Sequence, residues 1–131
     1  MGTRSFIGIQ NEDESIRYVY CHWDGYPSHN GKILNEHYTD RKKVDKLLDG
    51  GDMSVLNEDI TDVEYYNQMK GQDPDNDAAL VDNMVVFLED IKNSWCEWVY
   101  ILNKKNMWMV SSDADWTDIK PLNEVLSEDN S

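Results

Sequence analysis

Proline is scarce in this chain, with three among 131 residues, and cysteine is scarcer, with two. No apolar run approaches the length of a membrane-spanning helix, so a membrane location is not expected. Two cysteines cannot build a disulfide framework. The first ten residues lack the basic start and apolar stretch of a signal peptide, so Cys21 and Cys96 are expected to be reduced, buried thiols of an intracellular protein. A Gly-rich phosphate loop, a Gly-x-Ser-x-Gly elbow and paired zinc-type Cys-x-x-Cys motifs are all missing, and with them the common signatures of nucleotide hydrolysis, serine esterase chemistry and structural zinc.

Positive charge is the largest deficit. Twelve Lys and Arg stand against 26 Asp and Glu, a net charge of −14. The imbalance is uneven: residues 1–50 carry eight acids and seven bases, whereas residues 51–131 carry eighteen acids and five bases. Direct binding to nucleic acid is therefore disfavoured, because that affinity comes from Lys and Arg neutralising phosphates. An acidic surface instead draws in basic partners; its simplest alternative role is solubility.

What the chain does contain suits one globular domain, expected over residues 1–126, with 127–131 a frayed acidic tail. Residues 3–10 alternate as a strand, with Ser5, Ile7 and Ile9 on one face and Phe6 and Gly8 on the other. Residues 15–24 form a second strand, apolar or aromatic on both faces and so expected to be central. Asp24-Gly25 ends it, Tyr26-Pro27 turns the chain, and Ser28 is a plausible cap for a helix carrying Ile33, Leu34, His37 and Tyr38. Thr39 or Asp40 caps a second helix with Val44, Leu47 and Leu48 inward, stopped by Gly50-Gly51.

The pattern weakens from 52 to 77. Asp73, Asp75 and Asp77 have calcium-loop spacing, but the glycine and closing glutamate of such a loop are missing. Residues 80–95 show the clearest helical stripe, and 97–102 and 107–112 read as a late hairpin. A weak helical stripe over 116–126 closes the domain. The expected fold is α+β: an antiparallel sheet built from an N-terminal and a C-terminal hairpin, with three or four helices mainly on one face.

The stretch Cys21-His22-Trp23-Asp24-Gly25-Tyr26-Pro27-Ser28-His29-Asn30-Gly31 crowds reactive and aromatic groups at a strand–helix junction. Three chemistries compete there and elsewhere. His22 and Asp24, two apart on a strand, with His29 folding back, form a candidate metal set of the two-His, one-carboxylate type; no cofactor is otherwise expected. Arg4 and Arg17 with Tyr20, His22, Trp23, Asp24, Tyr26 and His29 offer the cations and aromatic faces that would hold a nucleotide-like ligand, provided the two arginines lie together or beside the turn. Cys21 with His37 or His29 is a weaker pair, since a mid-strand thiol is more simply buried and inert. The third candidate is a protein-binding acidic face made from Glu58, Asp59, Asp62, Glu64, Asp73, Asp75, Asp77, Asp82, Glu89 and Asp90, extended by Asp52, Asp113, Asp115 and Asp118, able to occupy a basic nucleic-acid channel.

Gly2-Thr3-Arg4-Ser5 and then Tyr20-Cys21-His22-Trp23-Asp24-Gly25-Tyr26-Pro27 with Gly31 resemble small uncharacterised proteins of bacteriophages and bacterial genomes. Those proteins open with such a strand and carry a similar turn before a helix. The likeness continues through His37-Tyr38, the turn Asp49-Gly50-Gly51-Asp52 and the late hairpin. It implies a viral setting in the cytoplasm of an infected or carrier bacterium, and no catalytic residues. The expected function is therefore inhibition of a basic host or anti-phage defence protein through the carboxylate face. Ligand capture at Arg4 and Arg17 stands as the alternative, and a metal-dependent enzyme at His22, Asp24 and His29 as the third; catalysis is the less expected class.

Overall fold

Alternating apolar residues produce the spine of the molecule. β1 (Ser5–Gln10) pairs antiparallel with β2 (Ile16–Cys21), Ser5 opposite Cys21 and Gln10 opposite Ile16. The structure, a computed structural model, describes residues 3–68, 77–92, 94, 96–112 and 119–129. Further along the chain come the helices α1 (Lys32–His37) and α2 (Arg41–Asp49), then the short strands β3 (Met53–Val55), β4 (Glu64–Tyr65) and β5 (Ala79–Val81). The helix α3 (Met84–Ile91), the hairpin β6 (Trp98–Leu102) and β7 (Trp108–Ser111), the short β8 (Lys120–Pro121) and the helix α4 (Leu122–Asp129) complete the described elements.

The protein is α+β, with these strands in one eight-stranded sheet ordered β4-β3-β2-β1-β6-β7-β8, and β5 also pairing with β2. Most pairs are antiparallel, but the sheet is mixed rather than antiparallel throughout. β1 runs parallel to β6, with Ile7 opposite Tyr100, and β2 runs parallel to β3 at Cys21 and Met53. Hairpin signals are local and say nothing of which distant strand fills the free edge of β1.

Strand alternation divides the core in two. On one face Ile7, Ile9, Val19, Cys21, Tyr100, Leu102, Trp108 and Val110 pack with Leu34 of α1, with Val44, Leu47 and Leu48 of α2, and with Leu122 of α4. On the other, Phe6, Ile16, Tyr18, Val99 and Ile101 pack with Phe87 and Ile91 of α3. Helices therefore cover both faces. The α2 boundaries follow their signals: the Asp40 carboxylate accepts from the Lys42 amide, and Gly51 takes the left-handed φ of 86° that ends the helix. The stripe over 80–95 divides. Ala79–Val81 is a strand against Ile16–Tyr18, and α3 begins only at Met84, capped by the Asn83 side chain accepting from Val86 N–H. A short run such as Leu80-Val81 satisfies either periodicity, and pairing with β2 decides it. No helix among the described residues is long and apolar enough to cross a membrane.

Buried aromatic donors fasten loops to this frame. Tyr38 Oη donates to the Asn57 carbonyl at 2.7 Å, Tyr65 Oη to the Leu47 carbonyl at 2.6 Å, and Trp108 Nε1 to the Tyr38 carbonyl at 2.9 Å. Each satisfies a polar group that burial would otherwise strand.

Asp52 fills a gap in the sheet. The outer edge of β2 is shared by β5 at Ile16–Tyr18 and β3 at Cys21, and between them the Tyr20 amide donates to Asp52 Oδ1 at 2.9 Å. Burial raises the Asp52 pKa, opposed by the Tyr20 amide and reinforced by Asp77. A carboxyl raised in the folded state is less stabilising as pH rises through its titration, so at neutral pH its charge opposes folding while its oxygen supports the strand. Asp52→Asn keeps an acceptor and removes the charge, so its urea midpoint at pH 7 should equal or exceed the parent's. Asp52→Ala orphans the Tyr20 amide and should cost about 1–3 kcal/mol.

Candidate functional site

The stretch 21–31 is a joint. After β2 the parallel pairing continues for two residues, His22 N–H donating to the Met53 carbonyl and Trp23 N–H to the Ser54 carbonyl. Asp24 then adopts a left-handed φ of 58°, which Asp tolerates better than most residues. Gly25 lies against β1: its N–H donates to the Thr3 carbonyl at 2.7 Å, and a Cβ there would sit 2.7 Å from that oxygen and 2.8 Å from Ser5 Cβ. Tyr26 is extended before Pro27, and the chain enters α1 through a wide five-residue turn, Pro27–Gly31, in which the Lys32 amide reaches back to the Pro27 carbonyl. Ser28 is therefore inside the turn and does not cap it; Tyr26 occupies the cap position without a side-chain bond.

Two residues outside the sequence-level candidate set close the joint. Asn30 is fully buried; its amide nitrogen lies 3.4 Å from each of Ser5 Oγ, Cys21 Sγ and the Trp23 carbonyl, and its backbone N–H donates to the Asp24 carbonyl. Tyr100 Oη donates to the Gly25 carbonyl at 2.5 Å from across the sheet. A buried Asn between a Ser, a thiol and a carbonyl is legible only once the chain is folded.

The three candidate metal ligands are each engaged by a neighbour. His22 Nδ1 meets Tyr20 Oη at 2.6 Å, Asp24 Oδ1 accepts from Tyr26 Oη at 3.1 Å, and His29 Nδ1 meets Asn30 Oδ1 at 3.0 Å. Among the described residues no group of three or more His, Cys, Asp and Glu is placed to hold a metal ion. Cys21 is buried, and desolvation pushes its thiol up to about 11, the reverse of what a nucleophile needs.

The candidate ligand set is divided by the sheet. Arg17 lies on the face of Val19 and Cys21 and is held by α2, through the Asp45 carbonyl at 3.2 Å and Asp49 Oδ1 at 2.5 Å. Arg4 lies at the other end of the β1–β2 pair, near enough to Tyr20 and Cys96 on the opposite face to act on both electrostatically. The two arginines do not meet. Trp23 is 41% exposed beside His22, and an open groove of about 390 Å³ runs past His29 between Lys32 and Glu36 on one side and Glu58 and Asp62 on the other.

The described acidic candidates are exposed except Asp52, which is half-buried under the sheet edge. Glu58, Asp59 and Asp62 lie in the loop and short turn that lead into β4, whose first residue is Glu64. Asp59 accepts from the amide and hydroxyl of Thr61, which lower its pKa, and Glu58 Oε1 lies 3.5 Å from His37 Nε2. Asp77 accepts from Asn67 Nδ2 at 3.0 Å. Asp82 precedes α3, which carries Glu89, paired with Lys92 at 3.0 Å, and Asp90, which accepts from Tyr18 Oη at 3.0 Å. Asp73, Asp75, Asp113, Asp115 and Asp118 lie outside the described residues. Between positions 52 and 92 the described residues hold nine acids and a single base, Lys92. Several cations elsewhere are used internally. Arg41 binds the Gln10 and Asn103 carbonyls, Lys43 binds the His37 carbonyl and covers the Tyr38 ring, and Lys104 pairs with Glu14.

Burial also raises the Cys96 thiol to about 11 and the Tyr20 and Tyr65 phenols to about 12. Unfolded thiols and phenols ionise near 9 and 10, so the stability held by these neutral groups and Cys21 is complete below pH 9 and falls as pH rises towards 12. Denaturant midpoints measured from pH 7 to about pH 10.5 should fall progressively beyond pH 9, and Cys21 should resist alkylation at pH 8 in the folded chain. A flat profile, or alkylation of Cys21 at the rate of an unfolded thiol, would contradict the buried assignment. No protein-family model matches the chain, and no curated protein or solved structure matches it either.

Proposed function

We propose that the protein acts by binding, presenting the carboxylates of the β3–β4–β5 edge and α3 to a basic partner protein. The observation that carries this is the charge distribution: nine acids against Lys92 over the described part of residues 52–92, in a chain of net charge −14. Surface charges act over about 8–10 Å at ordinary ionic strength, so such a surface steers a cationic partner and repels a nucleic-acid backbone. A basic partner with a nucleic-acid channel would meet in these carboxylates the charge that it normally meets in phosphates. The resemblance to bacteriophage proteins suits inhibition of a host or defence protein, and the reading assigns no catalytic residue and no cofactor.

Binding of fluorescent oligolysine, followed by anisotropy, tests it. The dissociation constant should weaken by about tenfold or more between 50 and 200 mM salt. The protein should also displace labelled duplex DNA from oligolysine. Replacing Glu58, Asp62 and Glu64 by their amides should weaken both effects with little change in thermal stability, since all three are exposed. Salt-independent binding, or binding unchanged by neutralisation, would contradict the proposal.

A further inference from the structure

α3 shows more apolar surface than its packing uses. Phe87 and Ile91 are buried and Met84 and Leu88 half-buried against the Phe6, Ile16 and Tyr18 cluster, which accounts for the inner side of the helix. Val85 and Val86 do not belong to that side and are 71% and 38% exposed. A β-branched residue on an exposed helical position loses rotamer freedom and gains no burial, so two in succession cost helix stability without return in the isolated chain. Leu80 is also exposed, but alternation along β5 turns it away from the face that Ala79 and Val81 share with α3, so it is not part of this surface.

Around the two valines stands a rim of acid. Helical spacing sets Glu89 one turn from Val85 and Asp90 one turn from Val86, and Asp82 lies just before the capping Asn83. Asp90 is held by Tyr18 Oη and Glu89 by Lys92, so two of the three rim carboxylates are positioned by neighbours. An apolar centre within a charged border is the anatomy of a protein interface. The charge decides the occupant. A second copy would bring another acidic rim and another −14 chain to the same place, and an anionic lipid surface would be repelled.

We infer that the outer face of α3, centred on Val85 and Val86 and bordered by Asp82, Glu89 and Asp90, docks a protein segment in which apolar side chains alternate with Lys or Arg. This rests on the acidic-binding proposal and adds the apolar anchor that charge alone does not supply. Electrostatics brings the partner to the face; burial of the valines selects segments with a matching apolar side chain.

The test uses the full chain and two synthetic peptides of equal charge, one alternating lysine with leucine and the other lysine with serine. At physiological salt the leucine peptide should bind about tenfold more tightly than the serine peptide, as burial of a few apolar groups provides. The variant Val85→Gln/Val86→Gln should abolish that preference while leaving the serine peptide's affinity unchanged. Glutamine is a good helix former, and circular dichroism with thermal melting verifies the fold; the single variant Val85→Gln repeats the test should the double variant melt early. Asp82→Asn should weaken both peptides. Equal affinity for the two peptides, or a preference that survives in the valine variants, would overturn the docking face yet leave the acidic reading standing. Absence of salt-dependent binding to either peptide would overturn both. Sedimentation showing a dimer that Val85→Gln dissolves would assign the face to a second copy and overturn the inference.

Discussion

The hydrogen bond from Tyr100 Oη to the Gly25 carbonyl, 2.5 Å long and spanning 75 positions of chain, is the constraint on which the arrangement of the layers depends. It joins the middle of β6 to the turn that leaves β2, across the intervening β1. β1 is thereby held between an antiparallel neighbour formed locally and a parallel neighbour formed only after most of the chain has been laid down. The same turn launches α1 onto the face where Leu34 packs with Val19, Cys21 and Tyr100. Were the Gly25 carbonyl left without its phenol, a buried acceptor would be unsatisfied at the point where sheet and helical layer meet. Asn30 reinforces the joint from the helical side, touching the turn, β1 and β2 at once.

The sheet differs from one end to the other in construction as well as in charge. The half made of β1, β2, β6 and β7 with α1 and α2 is held by Tyr100, Trp108 and Arg41 through bonds to backbone carbonyls. Tyr38 and Tyr65 tie the 53–65 segment to it. The other half is built from strands of two or three residues, β3, β4 and β5, and from α3, the only described helix on its face of the sheet. There Asp52 stands in for a missing strand neighbour, and nine described carboxylates stand against the single base Lys92.

How much of this was legible in the sequence depended on the range of the interaction involved. Alternation grouped Ile7 with Ile9, Val19 with Cys21 and Tyr100 with Leu102 within each strand, because strand geometry is local. That these sets meet on one face with Val110 follows only from the pairing. The Asp40 cap and the Gly51 stop were equally local. The parallel meeting of β1 and β6 left no trace, nor did the separation of Arg4 from Arg17 by the sheet, since both are products of long-range pairing. His22, Asp24 and His29 looked like a ligand set from spacing alone; Tyr20, Tyr26 and Asn30, each one or two residues away, engage them singly. The stripe read over 80–95 counted Val85 with Met84, Leu88 and Ile91 as inward. The helix begins only at Met84 and turns Phe87 inward instead, leaving Val85 and Val86 outside, which spacing alone did not reveal.

The central claim is that the crowded turn at 21–31 is structural and that binding belongs to the acidic border. Backbone amide chemical shifts followed during titration with oligolysine test it most directly, because they report each residue in one experiment. The account predicts shifts concentrated at 58–64, 77–82 and 85–90, with the amides of Cys21, Gly25 and Asn30 unmoved. Shifts centred on 21–31 with a silent α3 would contradict it.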